Sequence, residues 1–456
     1  MNVRWTGPAA APPDHRKILL SCLDVYYLNK VILVTVLGPM SSQKKHPRRA
    51  AERSSLRQVA VGPARPALLK EINAREVLRV LRQNNPCSRA DLVRLTGLTA
   101  PTVSAAIERL IGEKLVESLG FGSSNGGRRP NMLRFNAQYG YVLAVDLGGT
   151  VLRVALADLN GSIVGKWSAS SRSGSSPEQV ITLIRSGLEH LTRQAGLPMK
   201  AVSMVAAGIP GITDVDAGMV ISAPNLKNWR NVPFRRLLES ALGITAVVEN
   251  DVNLAAMGEN WRGAAREASN FVFLALGTGI GAGIYLNGQV VHGADWAAGE
   301  VGYMHVPGTP DTAFALDKEG SLESVIGGRG IEQAWRNRLC EATKAQQRKF
   351  PANLTATEIF ELGREGNADA AEILKQASHI LADAIFNISL IIDCSLFVLG
   401  GGVGMSTVLY DATRRRLERN ELLCPQLVLS TLGQDAQLVG AIRLALDAIE
   451  LPAAGA

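Results

Sequence analysis

The chain has 456 residues, of which 46% are hydrophobic and 20% are charged, the balance of a globular protein with room for about three domains. Its five cysteines are odd in number, widely spread and free of any CxxC pair. They therefore argue against both a disulfide framework and a zinc site, and for a reducing compartment.

Positive charge is concentrated in the N-terminal part of the chain. Residues 1–135 hold 22 Lys and Arg against 9 Asp and Glu, a net charge of +13, and the remainder carries −6. A basic segment on an acidic body favours a polyanionic partner, with nucleic acid the first candidate and an anionic membrane the second.

The apolar stretch 18–39 is interrupted by Asp24, Asn29 and Lys30 and falls short of the roughly 20 apolar residues of a spanning helix. We therefore expect a cytoplasmic protein without a membrane segment.

Residues 1–69 mix prolines, arginines and one apolar island without a period that would build a core. This composition predicts a basic, disordered tail. The basic run at 44–57 can touch a DNA backbone, although a solvated tail is the simpler interpretation. Met40 opens a more ordinary amino terminus, and a start codon assigned too far upstream would account for residues 1–39.

A winged helix-turn-helix domain is predicted over residues 70–136. A helical period runs from Ile72 to Gln83, a second short helix is capped by Ser88 and stops at Gly97, and Thr99 caps a third. Two alternating stretches follow, joined by a glycine-rich loop with two arginines, which is typical of a wing.

The side chains expected to contact DNA are polar or basic groups on the second and third helices and at the wing tip. They suit base edges and phosphates in the grooves. A helical bundle used only for protein contacts shares the three helices, but it leaves the basic tip and the net charge unexplained. The predicted DNA-contacting residues are Ser88, Thr99, Thr102, Ser104, Arg109, Arg128 and Arg129.

The body of the chain repeats one pattern. The order strand, glycine turn, strand, Asn-Gly turn, strand begins at Tyr141 and again at Phe271, which predicts two lobes facing each other across a cleft. Asn160-Gly161 is typical of a type I′ hairpin. Adjacent glycines let a backbone approach a bound phosphate, although a single such turn is weak evidence. The predicted nucleotide contacts are Asp146, Gly148, Gly149, Thr150, Gly277, Thr278, Gly279, Gly401 and Gly402.

Between the lobes lies the run Glu249-Asn250-Asp251-Val252-Asn253, which follows a buried strand and precedes a helix. A carboxylate in that place can accept a proton from a sugar hydroxyl and prepare it for attack on a phosphate. Asp251 is the candidate base and Asn250 the candidate for orienting the same ligand. The alternative is an Asp that only caps the following helix.

With these motifs assembled, residues 70–450 resemble the ROK family of bacterial sugar kinases and sugar-responsive repressors. The resemblance implies an α/β fold, with the winged helix-turn-helix followed by a two-lobed actin-like ATPase (sugar kinase, RNase H-like) fold at 137–452. It rests on motifs in the family's order, at 146–150, 222–226 with Trp229, 249–251, 277–283, 299–302, 320–324 and 400–402.

The resemblance also implies a sugar site. In the family, positions matching Asn250, Asp251, Glu300 and Glu323 hold sugar hydroxyls, and the position of Asp251 is the catalytic base of the kinases. The sugar-binding set expected here is Asn225, Asn250, Asp251, Glu300, Tyr303 and Glu323.

Two departures from the family pattern concern its zinc site. Tyr303 stands where members usually have a zinc-binding or sugar-contacting histidine, and the stretch 308–322 has no cysteine, with Ser321 at the last such position. Because zinc requires imidazole and thiolate ligands, we predict that the family's zinc is absent and that no other metal is bound. His305 lies nearby and is interpreted as a lone surface or core histidine.

The N-terminal domain decides between the family's two functions. Kinase members lack a DNA-binding front, so the sequence favours a transcriptional regulator, a repressor of carbohydrate-utilisation genes. It would bind operator DNA as a homodimer or a higher homo-oligomer and respond to a sugar or sugar phosphate. The alternative is an ATP-dependent hexose or amino-sugar kinase, or a regulator with residual kinase activity. The regulator requires no cofactor, and ATP with Mg²⁺ would serve only a retained kinase activity.

Overall fold

The computed structural model describes residues 26–28, 31–33, 66–121, 129–171, 175–224, 226, 228–310, 319–341 and 350–449. The chain divides into two compact units, which meet between Arg134 and Phe135, two residues before the expected boundary at 136. In the predicted tail, Tyr26–Leu28 (β1) pairs antiparallel with Val31–Leu33 (β2). The other residues up to 65 lie outside the described ranges, so a disordered tail stays a prediction there.

The N-terminal unit contains the predicted three helices and a three-stranded sheet in the order β3-β5-β4. The first helix begins six residues before Ile72, where the apolar period starts. The elements are α1 (Pro66–Gln83), β3 (Cys87–Ser88), α2 (Arg89–Thr96), α3 (Ala100–Gly112), β4 (Val116–Phe121) and β5 (Asn131–Phe135).

Local capping explains where α2 and α3 begin and end. The Ser88 hydroxyl accepts from the Asp91 N–H, and the Asp91 carboxylate accepts from the Ser88 N–H at 3.1 Å. Gly97 ends α2 with a left-handed φ of 69°, which glycine adopts without strain. The Thr99 hydroxyl then caps α3 by accepting from the Thr102 N–H. The predicted caps are therefore confirmed.

The first lobe of the second unit has a five-stranded sheet and a small three-stranded one. Its long helix spans residues 177–194. The elements are β6 (Tyr141–Leu147), β7 (Val151–Asp158), β8 (Ile163–Ser170), α4 (Pro177–Gln194), β9 (Val202–Ile209), β10 (Ile212–Asp214), β11 (Met219–Ser222), β12 (Arg230–Val232), α5 (Phe234–Leu242), β13 (Ala246–Asn250) and α6 (Asp251–Arg262).

The second lobe has a matching five-stranded sheet with helices beside it. The elements are β14 (Phe271–Leu276), β15 (Ile280–Leu286), β16 (Gln289–Val290), α7 (Glu323–Ile326), α8 (Gly328–Glu341), α9 (Ala356–Arg364), α10 (Ala368–Ile392), β17 (Leu396–Gly400), α11 (Gly401–Gly404), α12 (Thr407–Leu417), β18 (Gln426–Leu429) and α13 (Ala436–Ala448). Short 3₁₀ turns lie at 137–139, 199–201, 301–303 and 433–435. None of the helices in the described ranges is both long enough and apolar enough to cross a bilayer.

The two large sheets share one topology, which confirms the predicted repeat. Their strand orders are β13-β9-β6-β7-β8 and β16-β15-β14-β17-β18. In each, the first strand pairs antiparallel with the second and parallel with the fourth. Parallel central strands are covered on both faces, and every residue of β6 is buried.

The two Asn-Gly turns differ. Asn287 and Gly288 both have positive φ, 53° and 78°, as a type I′ turn requires. At the other turn only Gly161 does, with φ 75°, and Asp158 accepts from the N–H groups of Asn160 and Ser162. The predicted type I′ hairpin at Asn160-Gly161 is therefore wrong, because the Asp158 side chain organises a longer loop that closes on a left-handed glycine.

Each lobe is partly covered by a helix that follows the other lobe in the sequence. Helix α6 follows β13 of the first lobe but packs on β14 and β15 of the second, whereas α13 follows the second lobe and packs on β6 and β9 of the first. The two helices pack closely on each other. A Cβ at Gly440 would lie 1.8 Å from the Leu254 carbonyl oxygen, and one at Gly258 would lie 2.3 Å from that of Ala436.

This contact predicts the effect of Gly440→Ala on stability. Alanine gains about 1 kcal/mol of helix propensity, but its methyl group meets a backbone oxygen that no rotamer change can move, and overpacking costs typically about 1–3 kcal/mol or more. We expect a lower free energy of unfolding in urea and a lower Tm. Gly402→Ala is the control, because a Cβ there meets nothing within 4 Å. Equal stability of the two variants would contradict the close packing.

Candidate functional site

The first glycine turn joins β6 to β7 and places Asp146 opposite Arg153 in the strand register. The Arg153 Nε donates to Asp146 Oδ2 at 2.8 Å, and Asp146 is 2% exposed. Burial raises the pKa of Asp146, and the Arg153 charge partly opposes that rise. Gly149 and Thr150 stay exposed at the turn, so their backbone is open to a ligand.

The second and third glycine turns follow β14 and β17, the paired central strands of the second lobe. The Gly277 N–H donates to the Gly279 carbonyl at 2.9 Å, and the Gly328 N–H donates to the Gly277 carbonyl at 2.8 Å. Gly401 has φ 79°, and a Cβ there would lie 2.4 Å from the Leu276 carbonyl oxygen. The two turns are therefore packed together at the same sheet edge.

The run Glu249 to Asp251 ends β13 and begins α6. Asn250 is the N-cap: its Oδ1 accepts from the N–H groups of Val252 and Asn253, at 2.8 and 3.0 Å, and its Nδ2 donates to the Gly211 carbonyl at 2.9 Å. The cap is thus Asn250 rather than Asp251, which is the first residue of the helix. Asn250 keeps little hydrogen-bonding capacity for a ligand, and its predicted contact with sugar stays a prediction.

Four carboxylates converge on the cleft. Burial, then the charges of Asp146 and Glu300, raise the pKa of Asp251 to about 7. Burial and the charge of Glu323 raise the pKa of Glu300 to about 6. Burial also raises the pKa of Glu323. These groups are therefore close enough to repel one another, and they offer oxygen acceptors to a ligand rich in hydroxyl groups.

Glu323 connects this cluster to the second glycine turn. Its Oε2 accepts from the Ile280 N–H at 2.8 Å, and a Cβ at Gly279 would come within 3.0 Å of the same oxygen. One carboxylate oxygen therefore holds the turn, and the other remains for a ligand. A ligand on Glu323 would be coupled to the phosphate-type turn by this hydrogen bond.

The positions that match the family's zinc site are occupied by side chains that do not usually bind zinc. The hydroxyl of Ser321, which is 1% exposed, lies 3.1 Å from Nε2 of His305 on the surface. Tyr303 ends a 3₁₀ turn that starts next to Glu300. A phenol, a hydroxyl and one imidazole do not fit a structural zinc site, and in the described ranges no three His, Cys, Asp or Glu side chains are arranged to hold a metal ion. Because residues 311–318 lie outside them, the absence of zinc stays a prediction, as does a sugar contact of Asn225.

In the N-terminal unit, α3 presents a mixed surface. Thr102 and Ser104 are partly exposed, and the Thr102 hydroxyl lies 2.8 Å from that of Thr99. The Arg109 Nε donates to Glu113 at 2.8 Å, so a phosphate contact there would compete with this pair. Arg129 is exposed at the base of the wing, whereas Arg128 lies outside the described residues. The DNA contacts of all seven residues stay predictions.

Comparisons with known proteins agree with this arrangement. A family model described as ROK family matches residues 142–448, and one described as winged helix-turn-helix DNA-binding matches residues 71–117. The chain belongs to the ROK family. The resemblance and the fold class deduced from the sequence are thereby confirmed.

Relatives of this ROK protein include regulators and kinases. It is 28% identical over 335 residues to the xylose repressor of Caldicellulosiruptor bescii, covering 73% of this chain and 84% of the relative. Across four such repressors it covers 61% to 84% of their length.

The solved structures that resemble this chain include both a regulator and a kinase. A ROK family transcriptional regulator, a homolog of the E. coli MLC protein, shares the fold with a TM-score of 0.69 at 22% identity, covering 83% of this chain and 96% of that one. A Streptomyces griseus ROK glucokinase in complex with glucose and AMPPNP has a TM-score of 0.58 at 26% identity, covering 68% and 100%.

The sequence did not predict two polar pairs at this site, Arg153 with Asp146 and Glu249 with His292. Arg153 could have been found by counting the hairpin register across the glycine turn, which sets it opposite Asp146. Glu249 and His292 are 43 residues apart and carry no local signal, yet Glu249 Oε2 lies 2.7 Å from His292 Nε2. The hydrogen bond to Glu249 raises the pKa of His292. Glu249 also accepts from the Asn250 N–H at 2.7 Å, so this pair positions the start of α6.

The raised pKa of Asp251 predicts a pH-dependent effect of Asp251→Asn. A carboxyl whose pKa rises from 3.8 to about 7 on folding adds stability that is complete below about pH 4 and is lost as the pH rises to 7. Asparagine abolishes this loss. We expect the Tm of the variant, relative to the parent, to increase by at least about 2 °C between pH 5 and pH 8.

Thermal unfolding by circular dichroism at the two pH values measures this difference. Glu421→Gln removes an exposed carboxylate elsewhere and should leave the difference near zero. A Tm difference for Asp251→Asn that is constant or shrinks with pH would show that Asp251 is not desolvated in the folded protein.

Proposed function

We propose that the protein is a sugar-responsive DNA-binding repressor of carbohydrate-utilisation genes. The observation that carries this proposal is the fusion of a winged helix-turn-helix to a ROK body in one chain. A xylose repressor matches 73% of this chain over 84% of its own length, so a pentose such as xylose is the first effector to test. A protein of this class works in the cytoplasm, where its DNA is.

The cleft supplies the chemistry for an effector. Carboxylate oxygens of Asp251, Glu300 and Glu323 accept hydrogen bonds from sugar hydroxyls, and a neutral sugar adds no charge to a cluster that already repels itself. Asp251 directly follows β13 of the first lobe, whereas Glu323 begins α7 of the second lobe. A ligand that contacts groups on both sides of the cleft favours one lobe angle over another.

The lobe angle must then change the affinity for DNA. We propose a homodimer with two-fold symmetry whose α3 helices read two half-sites of a palindromic operator. A change in lobe angle alters the spacing of the two helices and lowers operator affinity. The coupling is reciprocal, so operator DNA must weaken sugar binding by the same factor.

This proposal predicts that a sugar releases the protein from its operator. A duplex selected by the full chain from a random-sequence library serves as the operator, and fluorescence anisotropy measures its Kd across a panel of sugars and sugar phosphates. We expect one member to weaken operator binding about 5–150-fold, the usual range of such coupling. The same operator affinity under every compound would overturn the effector part of the proposal.

The control for this experiment is a pair of carboxylate variants. Glu300→Gln removes a cleft acceptor and should abolish the sugar response while leaving operator affinity without sugar unchanged. Glu341→Gln, at an exposed carboxylate near the end of α8, should respond like the parent. If no duplex is enriched in the selection, the DNA-binding part of the proposal fails independently of the sugar.

A sugar kinase activity is the second candidate function. It is favoured by Asp251, whose pKa of about 7 suits a general base at neutral pH. The carboxylate would accept the proton of a sugar hydroxyl as that oxygen attacks the terminal phosphorus of ATP and ADP leaves. The open backbone of Gly149 and Thr150 fits a phosphate, whereas the pairing of Asp146 with Arg153 leaves Asp146 less available to Mg²⁺.

Coupled ADP release over the sugar panel decides between the two functions. For the regulator we expect ADP release no faster than without sugar. Sugar-dependent turnover that Asp251→Asn reduces by about a hundredfold or more, the usual worth of a general base, would establish the kinase. Asp295→Asn, at an exposed carboxylate in the loop before Glu300, should retain any such turnover.

A further inference from the structure

A second concave site lies on the second lobe, between α10 and α12. The two helices pack along each other and leave a cavity of about 220 Å³. Its polar lining comes from both helices and includes four basic side chains, one lysine and three arginines. The charged and polar side chains that line it are Lys375, Ser378 and His379 of α10 and Arg415, Arg416 and Arg419 of α12 or just beyond it.

The positive charge of this cavity is only partly neutralised. Lys375 lies 3.4 Å from Glu372, and Arg416 lies 3.8 Å from Asp383. Arg415 and Arg419 have no ion-pair partner among the residues that the structure describes. They stand four residues apart, at the end of α12, so their like charges repel. Both side chains are exposed, so their guanidinium groups are accessible to an anion in solution.

The helix dipole explains only part of this cluster. Basic residues in the last turn of a helix stabilise it by interacting with its carbonyl end, which accounts for the run at 414–416. It does not account for Lys375, which belongs to another helix, α10, and lines the same cavity. Cations from two elements that converge on one concavity are the arrangement of an anion site.

We propose that this cavity binds a small phosphate-bearing anion, free phosphate or pyrophosphate or the phosphate of a sugar ester. Arginine guanidinium groups hold phosphate oxygens by paired, charge-assisted hydrogen bonds. A volume of 220 Å³ lies below the roughly 300 Å³ at which drug-sized ligands begin to fit. The site is separate from the carboxylate cleft, so it gives the protein a second, chemically opposite input.

Isothermal titration of the full chain with phosphate, pyrophosphate and fructose 1,6-bisphosphate, in about 0.15 M salt, tests this inference. We expect one anion to bind per chain. The probe with the lowest Kd shows whether the natural ligand resembles free phosphate, pyrophosphate or a sugar phosphate. The double variant Arg415→Gln/Arg419→Gln should weaken its binding about tenfold or more, because each lost charged hydrogen bond contributes to affinity. Lys375→Gln, on the other helix, should weaken it as well.

The matched control is Arg414→Gln, which removes the same charge from the same helix. Arg414 does not line the cavity and pairs with Glu418 at 2.9 Å, so this variant should bind the anion like the parent. Three results would overturn the proposal: no binding of any probe, equal loss in the Arg414 variant, or a double variant that keeps anion affinity and loses affinity for duplex DNA. The third result would indicate that the cavity between α10 and α12 contacts DNA.

Discussion

The crossing of α6 and α13 is the contact on which the geometry of the body depends. Each helix leaves one lobe and packs on the other, and glycines at 258 and 440 let the backbones touch. Helix α6 is fixed at its far end by Glu259, which is fully buried and accepts hydrogen bonds from the Ser430 hydroxyl, the Leu432 N–H and the Ala264 N–H. Its near end carries Asp251. The acid at the centre of the cleft is therefore held by a helix anchored in both lobes.

The carboxylates of the cleft repel one another, and this repulsion raises the free energy of the folded protein when they are charged. Four carboxylates with raised pKa values lie close together. Arg153 pairs with Asp146, and the charge of Arg329 opposes part of the rise in the pKa of Glu323. Backbone N–H groups offset part of the repulsion, at Val252 for Asp251 and at Ile280 for Glu323. What remains is a set of acceptors without matching donors. A polyhydroxylated ligand would supply donors without charge.

Much of this architecture could be deduced from the sequence, because its signals are local. The helix at 177–194, the strand at 271–276 and the caps Ser88 and Thr99 follow from short patterns of apolar period, proline and hydroxyl side chains. The failures involve partners that are distant along the chain or side chains that override a turn rule. Asp158 reshaped the Asn160-Gly161 turn, and Asn250 took the cap that had been considered for Asp251. The His292 partner of Glu249 and the cationic groove between α10 and α12 depend on tertiary packing, which no short pattern records.

The exchange of helices also orders events during synthesis. The inner strands of the first lobe, β6 and β9, emerge early from the ribosome, but the helix that covers them is α13, at residues 436–448. That lobe cannot bury its central strands with any contiguous N-terminal fragment of the chain. One side of these strands therefore stays uncovered until residues 436–448 are synthesised, whereas the N-terminal unit is complete at Arg134, before the first lobe begins. A ribosome that stops even twenty residues short of residue 456 would release a chain whose first lobe lacks its cover, and such a product would depend on chaperones for its solubility.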